Sequence, residues 1–229
     1  MKVGTDGVLL GAWAAPANEI EKAEASTNST LKILDVGTGC GLIALMLAQR
    51  FPNSYIEGID IDDASVLQAK LNVTESIFSE RITIKKKDYR DIEHFCNKYD
   101  LIVSNPPFYN EDTLSGNMAR DIARHTSFLS FETLISNTSK LLLPNGVFAV
   151  IIPYQSTKDF ISTCIQEKLY LTRRMDIKPT NKKSPNRTLL AFSPCKGKVE
   201  NIDSQLMTLY DTDNRRTEEY TAMTRDFYL

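Results

Sequence analysis

The sequence is poor in the residues that build metal centres and disulfide frameworks. Its four cysteines lie far apart without a CxxC pair, and the 229 residues contain only two histidines. We therefore expect neither a metal site nor structural disulfides. No apolar run reaches the about 18 residues that a membrane-spanning helix needs, and the first residues do not resemble a secretory signal. We expect a cytoplasmic protein.

No charge of one sign dominates the chain either. The 27 basic and 29 acidic residues leave a formal net charge of −2. This balance excludes a protein that coats nucleic acid through its overall charge, so any nucleic-acid partner must be held by a local basic patch. Hydrophobic residues make up 42% of the chain and charged residues 24%, which is typical of a globular protein with a substantial core.

Short β-rich runs alternate with helical patterns from residue 31 to about residue 170. This alternation predicts an α/β fold in which a mainly parallel sheet carries helices on both faces. We expect one domain over residues 1–229, with its core at about 31–153. The remaining elements are predicted to be an N-terminal helix at 5–15, and strands and a short helix in 169–229.

Three local features refine this prediction. Thr5 and Asp6 are expected to cap the N-terminal helix, whose apolar side chains favour a role in the core over contact with substrate. Pro144-Asn145-Gly146 predicts a turn that ends a helix. Residues 176–187 hold two prolines and four basic residues, and they are predicted to form a loop.

A glycine-rich loop lies where the first predicted strand gives way to a helix. The segment Asp35-Val36-Gly37-Thr38-Gly39-Cys40-Gly41 has the spacing GxGxG, and glycines there let the backbone turn sharply and approach a ligand. Because this spacing differs from the GxGxxG that holds a dinucleotide pyrophosphate, an NAD-dependent oxidoreductase is disfavoured. Asp60, at the end of the second predicted strand, is placed to accept hydrogen bonds from ribose hydroxyls.

This arrangement resembles the nucleotide-binding loop of class I S-adenosylmethionine methyltransferases, and the resemblance covers roughly residues 31–153. It implies that the main chain around Gly37 and Gly39 contacts the methionine part of the cofactor, and that Asp35 lies near its amino group. It further implies that Asp60 binds the ribose and Asp88 the adenine, with a loop-capping role as the alternative for Asp88. The implied cofactor-binding residues are Asp35, Gly37, Thr38, Gly39, Gly41, Asp60, Ile61, Asp88, Tyr89 and Asn105.

A second motif, Asn105-Pro106-Pro107-Phe108, follows the fourth predicted strand. Two successive prolines cannot continue a central strand, so the chain must leave the sheet at the carboxyl edge, where open α/β sheets bind ligands. The Asn105 side-chain oxygen and the Pro106 carbonyl are two acceptors that can hold one planar amine, and Phe108 offers an apolar face for a flat ring. Positioning the amine in this way removes the need for a strong general base.

The motif resembles the (N/D/S)PP(Y/F/W) signature of amino-methyltransferases that act on adenine N6, guanine N2 or glutamine amides. The resemblance implies that Asn105, Pro106, Pro107 and Phe108 are the catalytic residues that hold the target group. Base and amide substrates share this pair of acceptors, so the motif alone leaves all three targets open.

The two ends of the chain narrow the choice of target. The opening KVGTDGVLLGAW, residues 2–13, resembles a signature of the tRNA1(Val) adenine-N6 methyltransferases, which modify the adenosine immediately 3′ of the anticodon. Arg124-His125 and residues 219–229 also resemble that family. The resemblance implies a tRNA methyltransferase that uses S-adenosylmethionine. That family usually carries an aromatic and basic stretch ahead of this opening, so part of the RNA-contacting surface is expected to be missing here.

Binding of RNA phosphates needs cations grouped on one face of the protein. We prefer Arg173-Arg174 and the predicted 178–187 loop, because a strand end and its following loop can flank the mouth of a pocket. Each group alone is also typical of an ordinary solvated surface. The candidate RNA-binding residues are Tyr109, Arg124, Arg173, Arg174, Lys182, Lys183 and Arg187.

Three rival functions stay open at this point. Glutamine methyltransferases of release factors share the NPP motif, but they typically carry a helical N-terminal domain for which this chain has no room. A guanine-N2 methyltransferase of ribosomal RNA is disfavoured by the opening segment. A non-catalytic RNA-binding module on a decayed methyltransferase fold is disfavoured by the intact glycine loop, Asp60 and NPPF motif.

Overall fold

One sheet of eight strands forms the centre of the described molecule. The structure is a computed structural model that describes residues 4–14, 30–91, 98–107, 129–194 and 202–227. In chain order the strands are β1 (Leu31–Val36), β2 (Ser54–Asp60), β3 (Ile82–Lys86), β4 (Tyr99–Ser104), β5 (Leu142–Pro153), β6 (Tyr170–Thr180), β7 (Arg187–Ser193) and β8 (Asp203–Tyr210). The helices are α1 (Thr5–Trp13), α2 (Leu42–Arg50), α3 (Asp63–Thr74), α4 (Phe131–Leu141), α5 (Thr157–Gln166) and α6 (Glu218–Thr224).

The strand order places a switch point between β1 and β4. The order across the sheet is β3-β2-β1-β4-β5-β7-β6-β8. Strands β1 to β5 pair in parallel, whereas β7 runs antiparallel to both β5 and β6. Because the chain moves outward in opposite directions from β1 and β4, a crevice forms at their carboxyl ends, where open α/β sheets bind ligands. The predicted α/β fold with a mainly parallel sheet is confirmed.

Helices cover both faces of the sheet because its central strands are apolar on both sides. Along β4, Leu101 and Val103 belong to one core cluster, which also contains Trp13 of α1. Ile102 belongs to a second cluster on the opposite face, together with Phe160 of α5. The alternation along one strand therefore feeds two hydrophobic layers.

Helix α1 packs into the first of these layers. Val8, Leu9 and Leu10 are buried, as expected for a helix with a role in the core. The helix ends at Trp13 rather than at residue 15. At this end Arg50 Nη1 donates hydrogen bonds of 2.8 Å to the carbonyls of Gly11 and Ala14, so the last turn is held by α2.

The start of α1 differs from the sequence prediction. Gly4 occupies the N-cap position, and no side chain caps the helix. Asp6 instead forms an ion pair of 2.8 Å with Arg187, at the beginning of β7. The predicted capping by Thr5 and Asp6 is therefore wrong, because a distant arginine competes for the carboxylate.

Two segments predicted as a loop and a turn lie within strands. β6 continues through residues 176–180, because Ile177 is buried and the backbone of Thr180 pairs with β8. Only residues 181–186 connect β6 to β7. Likewise, residues 144–146 belong to β5, at the place where its register with β4 shifts.

The side chain of Arg81 ties the connection between α2 and β2 to the start of β3. Its Nη2 donates to the Ala48 carbonyl at 2.7 Å, and its Nη1 donates to the Phe51 carbonyl at 3.1 Å. Both carbonyls lie at the end of α2, where the helix itself supplies no donor. Arg81 therefore holds the end of α2 against the start of β3.

Arg81→Met should lower the free energy of unfolding by about 3 kcal/mol, since hydrogen bonds to charged groups each contribute about 1.5–3 kcal/mol and Arg81 makes two of them to the end of α2. Urea denaturation measures this change. Arg225→Met is the matched control, because the Arg225 side chain is 77% exposed, and it should change stability by less than about 0.5 kcal/mol. Equal effects of the two substitutions would contradict the assigned role of Arg81.

Candidate active site at the carboxyl edge of the sheet

The glycine loop and the NPP motif leave the sheet side by side. β1 and β4 are parallel neighbours in which Val36 pairs with Ser104. The buried Ser104 hydroxyl donates a hydrogen bond of 3.0 Å to the Val36 carbonyl, which fixes the two strand ends relative to each other. Gly37 and Asn105 are the next residues along the two strands, so both motifs start from the same place on the carboxyl edge.

The two predicted acceptors lie at this crevice. Asn105 is half-buried and Pro106 is buried, whereas Pro107 is exposed. The proline pair thus ends β4 after Ser104 and leaves Asn105 at the boundary between sheet and solvent. Phe108, Tyr109 and Arg124 lie outside the described residues, so their predicted roles stay predictions.

The glycine loop has a backbone conformation that few other residues adopt. Gly37 and Gly39 have φ angles of 72° and 57°, in the left-handed region that glycine tolerates without steric cost. The amides of Gly37 and Thr38 both donate to the Ile59 carbonyl at 2.9 Å, which ties the loop to the end of β2. Apart from Gly37 itself and its two chain neighbours, no described residue has a heavy atom within 4 Å of where a Gly37 Cβ would stand. The loop therefore forms a cradle that a ligand can fill.

Asp35 is a fully buried carboxyl group at the base of this loop. Its Oδ2 accepts a hydrogen bond of 2.7 Å from the Thr38 hydroxyl, and its Oδ1 has no hydrogen-bond partner among the described residues. Burial raises the pKa of Asp35 to about 7, although the bond from Thr38 and the nearby backbone amide of Ala44 oppose the rise. A buried carboxylate with one unpaired oxygen is costly unless a cation or donor approaches it. The arrangement suits an ammonium group.

Asp60 organises the loop from the end of β2. Its Oδ2 accepts a hydrogen bond of 2.9 Å from the Gly39 amide, and its Oδ1 accepts one of 3.0 Å from the Asp62 amide. Because a carboxylate offers about four acceptor sites, Asp60 keeps capacity for hydroxyl donors. Ile61, the next residue, is 47% exposed and offers an apolar surface at the same edge.

The Asp88 carboxylate already has a partner. Arg90 donates to it from Nε at 2.9 Å, from Nη2 at 2.6 Å and from its amide at 2.8 Å. These bonds hold the pKa of Asp88 below its usual value. The geometry is that of the loop-capping alternative, so an adenine amine would have to share this carboxylate with Arg90.

Tyr89 supports the site from behind rather than lining it. Its side chain is 4% exposed, and its hydroxyl lies 3.0 Å from the Thr138 hydroxyl of α4. The Asn137 side chain donates to the Tyr89 carbonyl at 2.7 Å. Only the backbone or a ring edge of Tyr89 could therefore contact the cofactor. This predicted contact stays a prediction.

Three of the arginines predicted to bind RNA have partners inside the protein. Arg173 contacts Trp13 and Asp203, Arg174 contacts Asp176, and Arg187 contacts Asp6. Lys182 and Lys183, in contrast, are exposed in the turn between β6 and β7. The two lysines therefore face solvent, whereas the three arginines also stabilise the fold.

Ser104 and Gly58 also shape the site, although no motif in the sequence marks them. Ser104 could be noticed only as a hydroxyl placed directly before the NPP motif. Gly58 lies inside β2, where an isolated glycine often marks a close approach of another chain segment. A Cβ at Gly58 would stand 2.9 Å from the Thr38 hydroxyl oxygen, so the loop packs against this glycine.

The residues of the crevice fit S-adenosylmethionine. The unpaired Asp35 oxygen suits its ammonium group, and the cradle at Gly37 admits its methionine part. The free acceptor capacity of Asp60 suits its ribose hydroxyls.

Among the described residues, no group of three or more metal-ligating side chains is found. None of the described helices is long and apolar enough to cross a membrane.

The family model and the curated relatives that the chain resembles are all of methyltransferases. The family model of the methyltransferase small domain matches residues 20–167. The tRNA1(Val) (adenine(37)-N6)-methyltransferase of Parabacteroides distasonis is 40% identical over 100% of this chain and 91% of its own length. The enzyme of that name from Citrobacter koseri is 37% identical over 100% of this chain and 89% of its own length.

Solved structures share the fold at low sequence identity. A predicted O-methyltransferase from Agrobacterium tumefaciens matches with a TM-score of 0.70 and 16% identity over 96% of both chains. A geranyl diphosphate C-methyltransferase from Streptomyces coelicolor, solved with S-adenosyl-L-homocysteine, matches with a TM-score of 0.54 and 13% identity. The latter match covers 77% of this chain and 79% of that chain. The likeness shows that the fold is that of class I methyltransferases.

Gly58→Ala should weaken binding of S-adenosylmethionine about tenfold. The added Cβ would stand 2.7 Å from Ile84 Cδ1 and 2.9 Å from the Thr38 hydroxyl oxygen. Thr38 must therefore shift and weaken its hydrogen bond to Asp35, and such overpacking typically costs about 1–3 kcal/mol. Isothermal titration calorimetry measures the change. Gly4→Ala is the matched control, because a Cβ there would meet no described residue within 4 Å apart from its chain neighbours. Equal affinities of the two variants would contradict the tight packing of the loop.

Cofactor binding should tighten as pH rises toward 7, because an ammonium group favours the ionised form of Asp35. With a pKa of about 7 in the free protein, the carboxyl should bind the cofactor about tenfold more weakly at pH 5.5 than at pH 7. The ammonium stays protonated throughout this range. Asp35→Asn should bind weakly at both pH values and remove the dependence.

Asp35→Asn also tests the direction in which the stability of the ligand-free protein changes with pH. Because burial raises the Asp35 pKa from 3.8 to about 7, the folded protein retains a proton that the unfolded chain loses. The stability that Asp35 contributes should therefore be greatest below about pH 4 and fall until about pH 7. The difference between wild type and Asp35→Asn in urea denaturation should follow this course, and a flat difference would contradict it.

Proposed function

Because the chain belongs to the family of tRNA1(Val) (adenine(37)-N6)-methyltransferases, we propose that it methylates N6 of adenosine 37 in tRNA1(Val). The methyl donor is S-adenosyl-L-methionine. The target adenosine lies immediately 3′ of the anticodon, so the acceptor is one exposed base in a tRNA loop.

One observation supports this proposal above the others. The pairing of Val36 with Ser104 brings the glycine loop and the NPP motif to one point on the carboxyl edge. A methyl donor held by Asp35 and Asp60 and an amine held by Asn105 therefore share one crevice. Methyl transfer needs little more than this juxtaposition, since positioning supplies most of the rate enhancement.

The acceptor residues act by orienting the amine. When bound, S-adenosylmethionine supplies an electrophilic methyl group on a sulfonium. The Asn105 side-chain oxygen and the Pro106 carbonyl accept hydrogen bonds from the two N6 protons, which favours a pyramidal nitrogen with its lone pair free to attack. The Pro106 carbonyl is available because proline retains its acceptor while lacking an N–H.

Adenine is favoured over the two rival acceptors. The relatives described above carry names of adenine methyltransferases of a tRNA and align over the whole chain. A release-factor glutamine and a ribosomal guanine find no comparable support. Lys182 and Lys183, which are exposed near the edge, are our candidates for contacts with tRNA phosphates.

The acceptor is tested with labelled S-adenosylmethionine and unmodified tRNA1(Val), with other tRNAs, ribosomal RNA and a release factor assayed in parallel. Nucleoside analysis should find N6-methyladenosine at position 37 of tRNA1(Val) alone. Label in the release factor or in ribosomal guanine would overturn the proposal.

Asn105→Ala should lower the rate of methyl transfer by at least about 100-fold, because the amine loses one of its two acceptors. The dissociation constant for the cofactor should stay within a few-fold of wild type. Asn53→Ala is the matched control, since Asn53 is exposed in the turn before β2. Full activity of Asn105→Ala would rule out the proposed role.

A further inference from the structure

A hydrogen-bonded network joins α5, β6 and β7 near the carboxyl end of β5. The hydroxyl of Thr157 donates to that of Thr188 at 3.1 Å, and Thr188 donates to Asp176 Oδ1 at 3.0 Å. Arg174 donates to the two oxygens of Asp176 from Nε at 2.9 Å and from Nη2 at 2.8 Å. Both threonines are buried, so the network fixes the position of the Arg174 guanidinium.

Tyr154 extends this network to the surface. The Arg174 guanidinium carbon lies 5.8 Å from the centre of the Tyr154 ring, near the outer limit of a cation–π contact. The bonds to Asp176 raise the pKa of Arg174, and the Tyr154 hydroxyl also helps to raise it. Tyr154 nevertheless remains 36% exposed. A ring that is held by a fixed cation while part of its surface faces solvent is preorganised to receive another flat group.

Tyr154 stands on the same edge of the sheet as Asn105. Ser104 pairs with Val150 of the neighbouring strand β5, which continues to Pro153 before Tyr154 follows. At about 3.3 Å per residue, Tyr154 therefore lies roughly 13 Å beyond the level of Ser104. An extended polynucleotide whose target base sits at Asn105 can place a neighbouring base there.

The turn between β6 and β7 adds positive charge at this corner. The Tyr154 amide donates to the Asn186 carbonyl of the turn at 3.2 Å. Lys182 and Lys183 are exposed in the same turn, so a phosphate backbone would find cations close to the ring. Arg174, whose charge is neutralised by Asp176, is a poor phosphate ligand by comparison.

We propose that Tyr154 is a stacking platform for a base of the tRNA loop that neighbours the target adenosine. Arg174 is a positioning residue that acts through Tyr154 rather than a residue that binds phosphate. The inference rests on the proposed function, because it takes the RNA as the occupant of this edge. Base–aromatic stacking is tolerant of sequence, so the platform contributes to affinity and orientation of the loop.

Steady-state kinetics with tRNA1(Val) tests the platform. Tyr154→Ala should raise the KM for tRNA about tenfold or more, in line with the loss of one stacked base. The kcat and the dissociation constant for S-adenosylmethionine should stay within about twofold. Tyr154→Phe keeps the ring and should restore the wild-type KM, whereas Tyr154→Leu should not. Tyr55→Ala is the matched control, because Tyr55 is 60% exposed on β2.

A double-mutant cycle tests the role of Arg174. Arg174→Gln should raise the KM for tRNA in the wild-type background and have no further effect when Tyr154 is already alanine. A residue that binds phosphate directly would raise the KM equally in both backgrounds. That result would overturn the positioning role.

The outcomes for the two proposals are distinguishable. If the wild-type protein methylates tRNA1(Val) and Tyr154→Ala leaves the KM unchanged, the stacking platform is wrong and the proposed function stands. Equal KM values for Tyr154→Leu and wild type would also exclude stacking. If the wild-type protein methylates no RNA, both proposals fail together.

Discussion

The parallel pairing of β1 with β4 is the constraint on which the site depends. Strand order alone places these two strands next to each other, but the register decides which residues meet at the edge. The buried hydrogen bond from Ser104 to the Val36 carbonyl sets that register at its last step. A shift by one residue would reverse the face to which each side chain points and separate the two motifs.

The glycine loop shows that a binding site can be kept at a cost to the stability of the ligand-free fold. Asp35 is buried with an oxygen that no described residue satisfies, and such a group destabilises the ligand-free fold. The surrounding bonds compensate in part: Thr38 donates to Asp35, and Ile59 and Asp60 hold the loop backbone. This pattern, in which one local rule is broken inside an otherwise consistent structure, is expected at functional sites.

Much of the site could be predicted because it is local in sequence. Glycines with positive φ follow a strand, and consecutive prolines end one, so the GxGxG and NPP motifs indicate their own geometry. The partners of the charged residues could not be predicted in this way. Asp6 meets Arg187, which lies 181 residues away along the chain, because of the fold, whereas the local pair of Asp88 and Arg90 matches the loop-capping alternative. Residues 176–180 also differ from the sequence prediction, since pairing with β8 outweighs the proline and the lysine that indicate a loop.

A structure with S-adenosylhomocysteine and the anticodon stem-loop of tRNA1(Val) tests the central claim most directly, because it locates the acceptor atom. The account predicts that N6 of adenosine 37 lies about 3 Å from both the Asn105 side-chain oxygen and the Pro106 carbonyl. The ammonium group of the cofactor product should meet the unpaired oxygen of Asp35. An adenine that binds away from Asn105, on the side of the crevice opposite the glycine loop, would contradict the account.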